Sequence, residues 1–431
     1  MFHSLWRLEA QRKGMVIDMN CKILPIFLAL TIGFLSSSPA YALEADATHL
    51  SADTYSEYMA NIADSNAELV EVLDCISGED GNLPDYYGGT SYDENGNLIV
   101  YLTTFEESAS QTLIDEFPSL CYQLVSFSIN DLIAYRDAFL ELGITFEKLA
   151  INPHANSVDI YFGSQEDLTY ASTLLNNGFS EDAYNFFLYE SDDQMFENTG
   201  RLNPEKYYSA EEIATYEQDM ENTNSALEAT STNASVSIKP GSGYAVTSGG
   251  SPVGTIGICA ILNSGSYVMI THGHDLSVGT SIYLGSTKIG TVTKQYHKSN
   301  YIGYDFSYTK VSSSYVSSSL AGNYGSLTKT YTESQLISMG TVNGYFIGNS
   351  SGSATRYSTS ILMTTSGSGS TYPYLTLGTG TDYGDSGGPI YMVSSSQTVF
   401  LGIVKGNSGG SGTGVPASTI KSTIGLYYYF N

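Results

Sequence analysis

The rhythm of apolar and polar positions divides the chain into four stretches. The first holds one apolar run, Ile23 to Leu35, preceded by Lys22 and followed by Ser36-Ser37-Ser38-Pro39-Ala40-Tyr41-Ala42. A basic residue, a short apolar stretch and small residues at Ala40 and Ala42 predict a secretory signal over 1–42, cleaved after Ala42, with Met15 or Met19 as the true start. The run is short for a bilayer, so no stable membrane anchor is expected after cleavage.

Residues 43–190 read as a small α+β domain with an internal repeat. Tyr86 to Thr103 places Glu94-Asn95-Gly96-Asn97 between two strand-like segments, the second being Leu98-Ile99-Val100-Tyr101-Leu102, which predicts a hairpin. A helix-like stretch, Glu106 to Phe117, follows it. Phe146 to Phe162 repeats the plan around Asn152-Pro153-His154-Ala155-Asn156, with Gln165 to Asn177 as its helix. Between the two, Leu132, Ile133, Phe139 and Leu140 have helical spacing behind Asn130, a residue type that caps helices. His154, in a turn, is expected to face solvent, and no convergent catalytic set falls in this domain.

Residues 191–235 are acidic, poor in large aliphatics and end in Ser, Thr, Asn and Ala. Such a segment buries too little surface to offset its ordering entropy, so it is read as a linker with one helix near Ala210 to Ala229 and a proteolytic site between Asn222 and Lys239. From Val236 the rhythm changes again. Short runs rich in Val, Ile, Thr and Tyr, such as Tyr267-Val268-Met269-Ile270 and Phe400-Leu401-Gly402-Ile403-Val404, alternate with Gly/Ser turns. That pattern predicts an all-β barrel or sandwich over 236–431.

Charge sharpens the division. From Val236 onward there are nine basic and five acidic side chains, a net of +4, which leaves −31 for the residues before it against −27 for the chain of 431 residues. Halves of opposite sign argue for separate domains, and the acidic half argues against nucleic acid as a partner. Four cysteines, Cys21, Cys75, Cys121 and Cys259, are too few for a disulfide scaffold and lack zinc-site spacing, although Cys75 and Cys121 could pair.

The candidate chemistry centres on Gly384-Asp385-Ser386-Gly387-Gly388-Pro389. A serine nucleophile needs a base for its proton and N–H donors for the oxyanion, and the glycines let the amides of Gly384 and Ser386 approach a substrate carbonyl. The β half has three histidines, His272, His274 and His297. His274 ends a strand-like run into a turn, where an imidazole can serve at a cleft edge. Asp305, in Tyr304-Asp305-Phe306-Ser307-Tyr308, is a carboxylate in apolar surroundings, suited to orienting that imidazole. Asp275 competes for the role but adjoins His274 and is read as a turn residue. His272 is read as a structural or surface histidine.

These motifs resemble those of chymotrypsin-like serine proteases, in which a Gly-Asp-Ser-Gly-Gly loop follows Thr-Ala-Ala/Gly-His and Asp-Tyr/Phe-Ala segments in the order His, Asp, Ser. The resemblance covers 236–431 and is nearest to secreted bacterial enzymes of the streptogrisin and glutamyl-endopeptidase kind. It implies an all-β double β-barrel with the triad His274, Asp305 and Ser386 between the barrels, an oxyanion hole at Gly384 and Ser386, a protein or peptide substrate and no cofactor. It also implies that residues 43–190 and the linker are a pro-region that assists folding and blocks the site until removed, in a secreted zymogen. The implied substrate pocket is lined by Gly380, Thr381, Asp382, Lys405 and Gly406. The sequence departs from the family in three places: Asp275 stands where a cysteine often follows the histidine, Asp382 where many relatives have a disulfide cysteine, and Lys405 where the family usually has Ser. Lys405 is either neutralised by Asp382 or Asp305, or left at the pocket wall to attract an acidic substrate side chain.

Two rival readings come from other classes. Thr271-His272-Gly273-His274-Asp275 partly resembles the Thr-His-x-His-x-Asp-His signature of metallo-β-lactamase-like hydrolases, with His297 as the remaining ligand, but Leu276 and Ser277 stand where Asp and His belong. An inactive protease-like binding module is the other, with the 35 tyrosines as a carbohydrate- or wall-binding face.

Overall fold

The computed structural model describes residues 52–175, 181–189, 236–298, 301–367, 372–394, 397–408 and 411–430. The predicted signal segment and acidic linker lie outside the described residues. By contacts, the chain divides into two compact units, residues up to 190 with Ser334–Val342, and residues 191–333 with 343–431. No helix among the described residues is long and apolar enough to cross a membrane.

The N-terminal unit is built twice from one plan. Strand β1 (Tyr87–Tyr92) pairs antiparallel with β2 (Leu98–Leu102), a helix follows at Ser108–Glu116, and β3 (Cys121–Leu124) returns parallel to β2. Then β4 (Lys148–Asn152) pairs antiparallel with β5 (Ser157–Phe162), a helix spans Gln165–Leu175, and β6 (Tyr184–Leu188) lies parallel to β5. The first hairpin turns where Asp93 Oδ1 accepts the N–H groups of Asn95 and Asn97, each at 2.8 Å. The helix between the repeats, Ile129–Glu141, starts one residue before the predicted Asn cap. Ser128 is its N-cap, in a reciprocal capping box with Asp131, while Asn130 Nδ2 donates to Leu83 O and Asp85 Oδ1.

One helix, Ala52–Ile76, was absent from the sequence reading, and its Leu69, Val72 and Leu73 are buried at i, i+3 and i+4. Ser334–Val342 packs in this unit as well, with Gln335 Nε2 donating to Ser77 Oγ at 2.8 Å. His154 is exposed as expected, and its Nδ1 meets the Tyr101 hydroxyl at 2.7 Å. Cys75 and Cys121 do not bridge; both are thiols, and Cys75 Sγ donates to Glu116 Oε2.

The C-terminal unit is an all-β double barrel. Two short strands, β7 (Gly243–Tyr244) and β8 (Gly254–Thr255), pair with each other. The first barrel's sheet contains β9 (Ile258–Leu262), β10 (Tyr267–Thr271), β11 (Ser281–Leu284), β12 (Thr287–His297) and β13 (Asp305–Lys310) in the order β11-β12-β13-β10-β9, with the final strand, Leu426–Tyr428, beside β9. After β14 (Lys329–Thr330), the second barrel is formed by β15 (Val342–Gly348), β16 (Thr355–Ser366), β17 (Pro373–Leu377), β18 (Pro389–Val393), β19 (Thr398–Ser408) and β20 (Ser411–Pro416). Its order is β15-β18-β19-β20-β17-β16, and a further β15–β16 pairing closes the ring.

The period-two alternation of β9 and β10 feeds two separate cores. Cys259 and Met269 face a cluster with Tyr244, Ile256, Ile282 and Val292, whereas Ile258, Ala260, Val268 and Ile270 face a cluster that includes Phe400, Ile403 and Val415 of the second barrel. A one-residue slip would exchange the two sets of side chains between cores packed for other shapes, so the register of these strands is fixed. Strand β10 therefore delivers the residues after Thr271 to a fixed place beside the second barrel.

Candidate active site

His274, Asp305 and Ser386 are 4%, 0% and 5% exposed and lie within one network of hydrogen bonds. His274 Nδ1 donates to Asp305 Oδ2 at 2.5 Å, which leaves Nε2 as the basic nitrogen. Asp305 Oδ1 accepts from the backbone N–H groups of Gly273 (3.0 Å) and His274 (2.7 Å), and from His297 Nδ1 (3.1 Å).

The β12–β13 pair explains how the carboxylate reaches the turn. Register places His297 opposite Asp305 and Gln295 opposite Ser307, so all four side chains share one face. From that face Gln295 Nε2 donates to Gly273 O and Ser307 Oγ to His272 O, both at 2.7 Å, and Asp305 takes the two N–H groups. The turn from His272 to Asp275 is thus held by its backbone, while Asp275 itself is exposed with φ 61° and serves the turn, as the sequence suggests.

Burial alone would push the Asp305 carboxyl up. The charge of His274, the hydrogen bonds from His274 and His297, and the charge of Lys405 outweigh it and hold the carboxyl well below its ordinary range. It is therefore an anion at neutral pH.

His272 is buried, which removes the surface reading. Its ring stacks on His274 with centroids 4.3 Å apart, and its Nδ1 donates to the carbonyl oxygen of Ser386 at 3.0 Å. That assigns Nε2 as the acceptor, and the Tyr244 hydroxyl lies 3.2 Å from it. Burial, with the His274 charge adding, pushes the His272 imidazole down to about 3, so it remains neutral. A side chain at Gly254 would overlap the His272 ring, so glycine there makes room for the imidazole.

The serine loop is anchored to both barrels. Ser386 O also accepts from Thr255 N (2.9 Å), Thr255 Oγ1 donates to Gly384 O (2.6 Å), and Gly387 N donates to Val404 O (2.7 Å). Gly384, between Tyr383 and Asp385, has φ 92°, a left-handed conformation that a side chain would strain. The Asp385 carboxylate pins the loop by accepting from Ser350 N (3.1 Å) and Asp382 N (2.9 Å), and burial pushes its carboxyl up to about 6. The Ser386 hydroxyl donates to Lys405 O at 3.0 Å rather than to His274.

The residues expected to line a substrate pocket do not share one environment. Gly380 and Asp382 are exposed, Thr381 is buried, and Lys405 is buried with its Nζ 3.4 Å from Tyr301 O. Gly406 O accepts from Thr413 Oγ1. Asn407, unnoticed in the sequence, fastens Thr381 by accepting its N–H and hydroxyl and donating to its carbonyl. His297 and Gln295 were also missed as partners of the His274 turn. No cluster of three His, Cys, Asp or Glu side chains suited to a metal ion occurs among the described residues. The nitrogens a metal would need on His272 and His274 are largely engaged by Ser386, Tyr244 and Asp305.

No protein-family model and no curated protein matches the sequence. Among solved structures, the chain is similar to a Nocardiopsis protease at 20% identity, covering 45% of this chain and 99% of that one, with a TM-score of 0.35. A Thermobifida fusca protease A is similar at 20% identity over 46% of this chain and 100% of its own, with a TM-score of 0.33. An α-lytic protease homologue is similar at 17% identity over 44% of this chain and 99% of its own, with a TM-score of 0.32.

Proposed function

We propose that the protein is a serine endopeptidase that hydrolyses peptide bonds through an acyl-enzyme on Ser386. The observation that carries this reading is the buried His274–Asp305 hydrogen bond, stacked through His272 onto the backbone of the one serine in a Gly-Asp-Ser-Gly-Gly loop. In the reaction, the Ser386 hydroxyl turns from Lys405 O toward His274 Nε2 and gives it its proton as Oγ bonds to the substrate carbonyl carbon. The carbonyl electrons move to oxygen, where the N–H groups of Gly384 and Ser386 receive them. Collapse of this intermediate breaks the C–N bond, and His274 passes its proton to the departing amine. Water then repeats the sequence to release the acid and restore Ser386. Asp305 keeps Nδ1 protonated and stabilises the imidazolium throughout.

Residues 43 to about 235 act on this reading as a removable pro-region that aids folding and blocks the site, a role supported by the charge split of −31 against +4. The protein is then exported as a zymogen. N-terminal sequencing of the active form tests this; an active enzyme still beginning near Leu43 shows removal to be unnecessary. A fluorophosphonate should label Ser386 in the wild type and not in Ser386→Ala. Absence of labelling in the mature wild type would instead favour the inactive binding module.

A further inference from the structure

Asp305 is held by two imidazoles, and the proposed mechanism uses only one of them. His297 closes β12 directly opposite Asp305, donates from Nδ1 to Oδ1 at 3.1 Å, and has a side chain that is 24% exposed. Its ring centroid lies 6.3 Å from that of His274. Neutral, it draws on the carboxylate's charge through one hydrogen bond. Protonated, it becomes a cation on the same carboxylate and a like charge facing His274.

We propose that His297 is a positioning residue that competes with His274 for the charge of Asp305, and so sets how readily the base takes up a proton. The proposal rests on the serine-peptidase reading for its consequence in turnover, but not for the coupling between the two imidazoles. Both effects of His297 act in one direction. An N–H on Oδ1 stabilises the carboxylate and weakens its support of protonated His274, and a second imidazolium repels the first. The other ionisable groups around the pair are Lys405, whose charge acts on Asp305, the buried and neutral His272, and Tyr244, whose hydroxyl burial pushes far up. Asp275 is exposed on the neighbouring turn, and Lys298, next to His297, lies over the rings of Tyr301 and Tyr304. Lys405 shares with His297 the role of offsetting Asp305, but of the two side-chain types only imidazole ordinarily titrates near neutral pH.

Removing His297 should therefore move the protonation of His274 to higher pH. Charges about 6 Å apart in a protein interior interact by enough to move a titration by about half a unit to two units, and a neutral hydrogen-bond donor sits at the low end.

The test is a histidine NMR titration of the full chain as wild type, His297→Gln and His297→Leu, with pH–rate profiles and fluorophosphonate labelling of the mature forms. In His297→Leu the change in the His274 resonances, and the acidic limb of activity, should move up by about half a unit or more. In His297→Gln, which keeps a donor but cannot take a proton, the movement should be smaller. A uniform fall in turnover with the His274 titration unmoved in both variants would overturn the proposal and leave His297 as mere packing. If His297→Leu does not fold, His297→Gln alone still decides, because loss of the second charge must narrow a coupled two-step titration to one step. Absence of labelling in the wild type, with the titrations coupled as described, would sink the peptidase reading and leave the coupling standing.

Discussion

Two buried aspartates, one in each unit, show what separates structural polarity from chemistry. Asp159 on β5 is buried, and its oxygens accept from Asn152 Nδ2, Ser157 Oγ and Asn185 Nδ2, all neutral donors fixed by neighbouring strands. Asp305 on β13 is as well buried, but it is met by two imidazoles, two backbone N–H groups and the charge of Lys405. Neutral partners satisfy a carboxylate and tie β4, β5 and β6 together. Partners that exchange protons make the carboxylate's charge available to something else. Both carboxylates are buried and hydrogen-bonded; the difference is that Asp305 has titratable imidazoles among its partners and feels the charge of Lys405.

The sharpest way to break the comparison is to neutralise each aspartate. Asp305→Asn keeps the shape but favours the wrong His274 tautomer, so turnover should fall by about 10⁴-fold. His274→Ala and Ser386→Ala should each cost several powers of ten, roughly 10⁴ to 10⁶-fold, with the fold retained. Asp159→Asn should instead leave turnover within about twofold and cost the N-terminal unit about 1–2 kcal/mol, because one of its donors loses its acceptor. Assays on a peptide substrate beside denaturant melts separate these outcomes. A peptidase undiminished in Ser386→Ala would end the reading of the site.

A third buried carboxylate sharpens the contrast through pH. Asp385 has a backbone donor on each oxygen, and burial pushes it up to about 6 from an ordinary 3.8. A carboxyl raised in the folded state stabilises it fully below pH 4, and that stability is lost as pH rises through 6. The upper limit of the loss is on the order of 3 kcal/mol for a shift of about two units. Asp305, held low, acts in the other window, supporting the fold above its unfolded value and failing only in stronger acid. Amide exchange in β18 should therefore show protection falling between pH 4.5 and 7 in the wild type, and a flatter response in Asp385→Asn. An equal slope in both would refute the assignment to Asp385.

How much of this was legible in the sequence follows the range of the interaction. The turn at Asp93 to Asn97 and the run Tyr267 to Ile270 were legible because their signals are local: an Asx side chain bonding its own turn, and apolar residues ending at a polar break. Asn130 is of a residue type that caps helices, but Ser128 holds the cap by pairing with Asp131 three residues on. The helix Ala52–Ile76 was overlooked although Leu69, Val72 and Leu73 carry the helical spacing. The partnership of His297 with Asp305 depends on strand register across a connection of seven residues, 298–304, which no local pattern dictates. His272 reaches Ser386 from 114 residues away, a contact that exists only once both barrels are formed.

The smallest effect concerns Lys405 and the side chain that precedes the cut. The sequence left two roles open, a neutralised support or a free cation at the pocket wall. In the structure Lys405 is buried, its Nζ lies 3.4 Å from Tyr301 O, and its charge acts on Asp305, which favours the neutralised support. Gly380 and Thr381 bring no carboxylate to the expected pocket floor, and Asp382 is exposed. A substrate cation buried there would lose its water without a partner, so discrimination against Arg should reach about 10 to 100-fold relative to Leu. On peptides differing only at that position, Leu and Phe should be preferred to Glu, and Glu to Arg. Lys405→Met should then lower turnover on all four alike, through weaker control of Asp305, and leave the Leu-to-Glu ratio within about threefold. A selective loss on Glu would return Lys405 to the pocket wall. Preferred cleavage after Arg would overturn the placement of the pocket while leaving His274, Asp305 and Ser386 untouched.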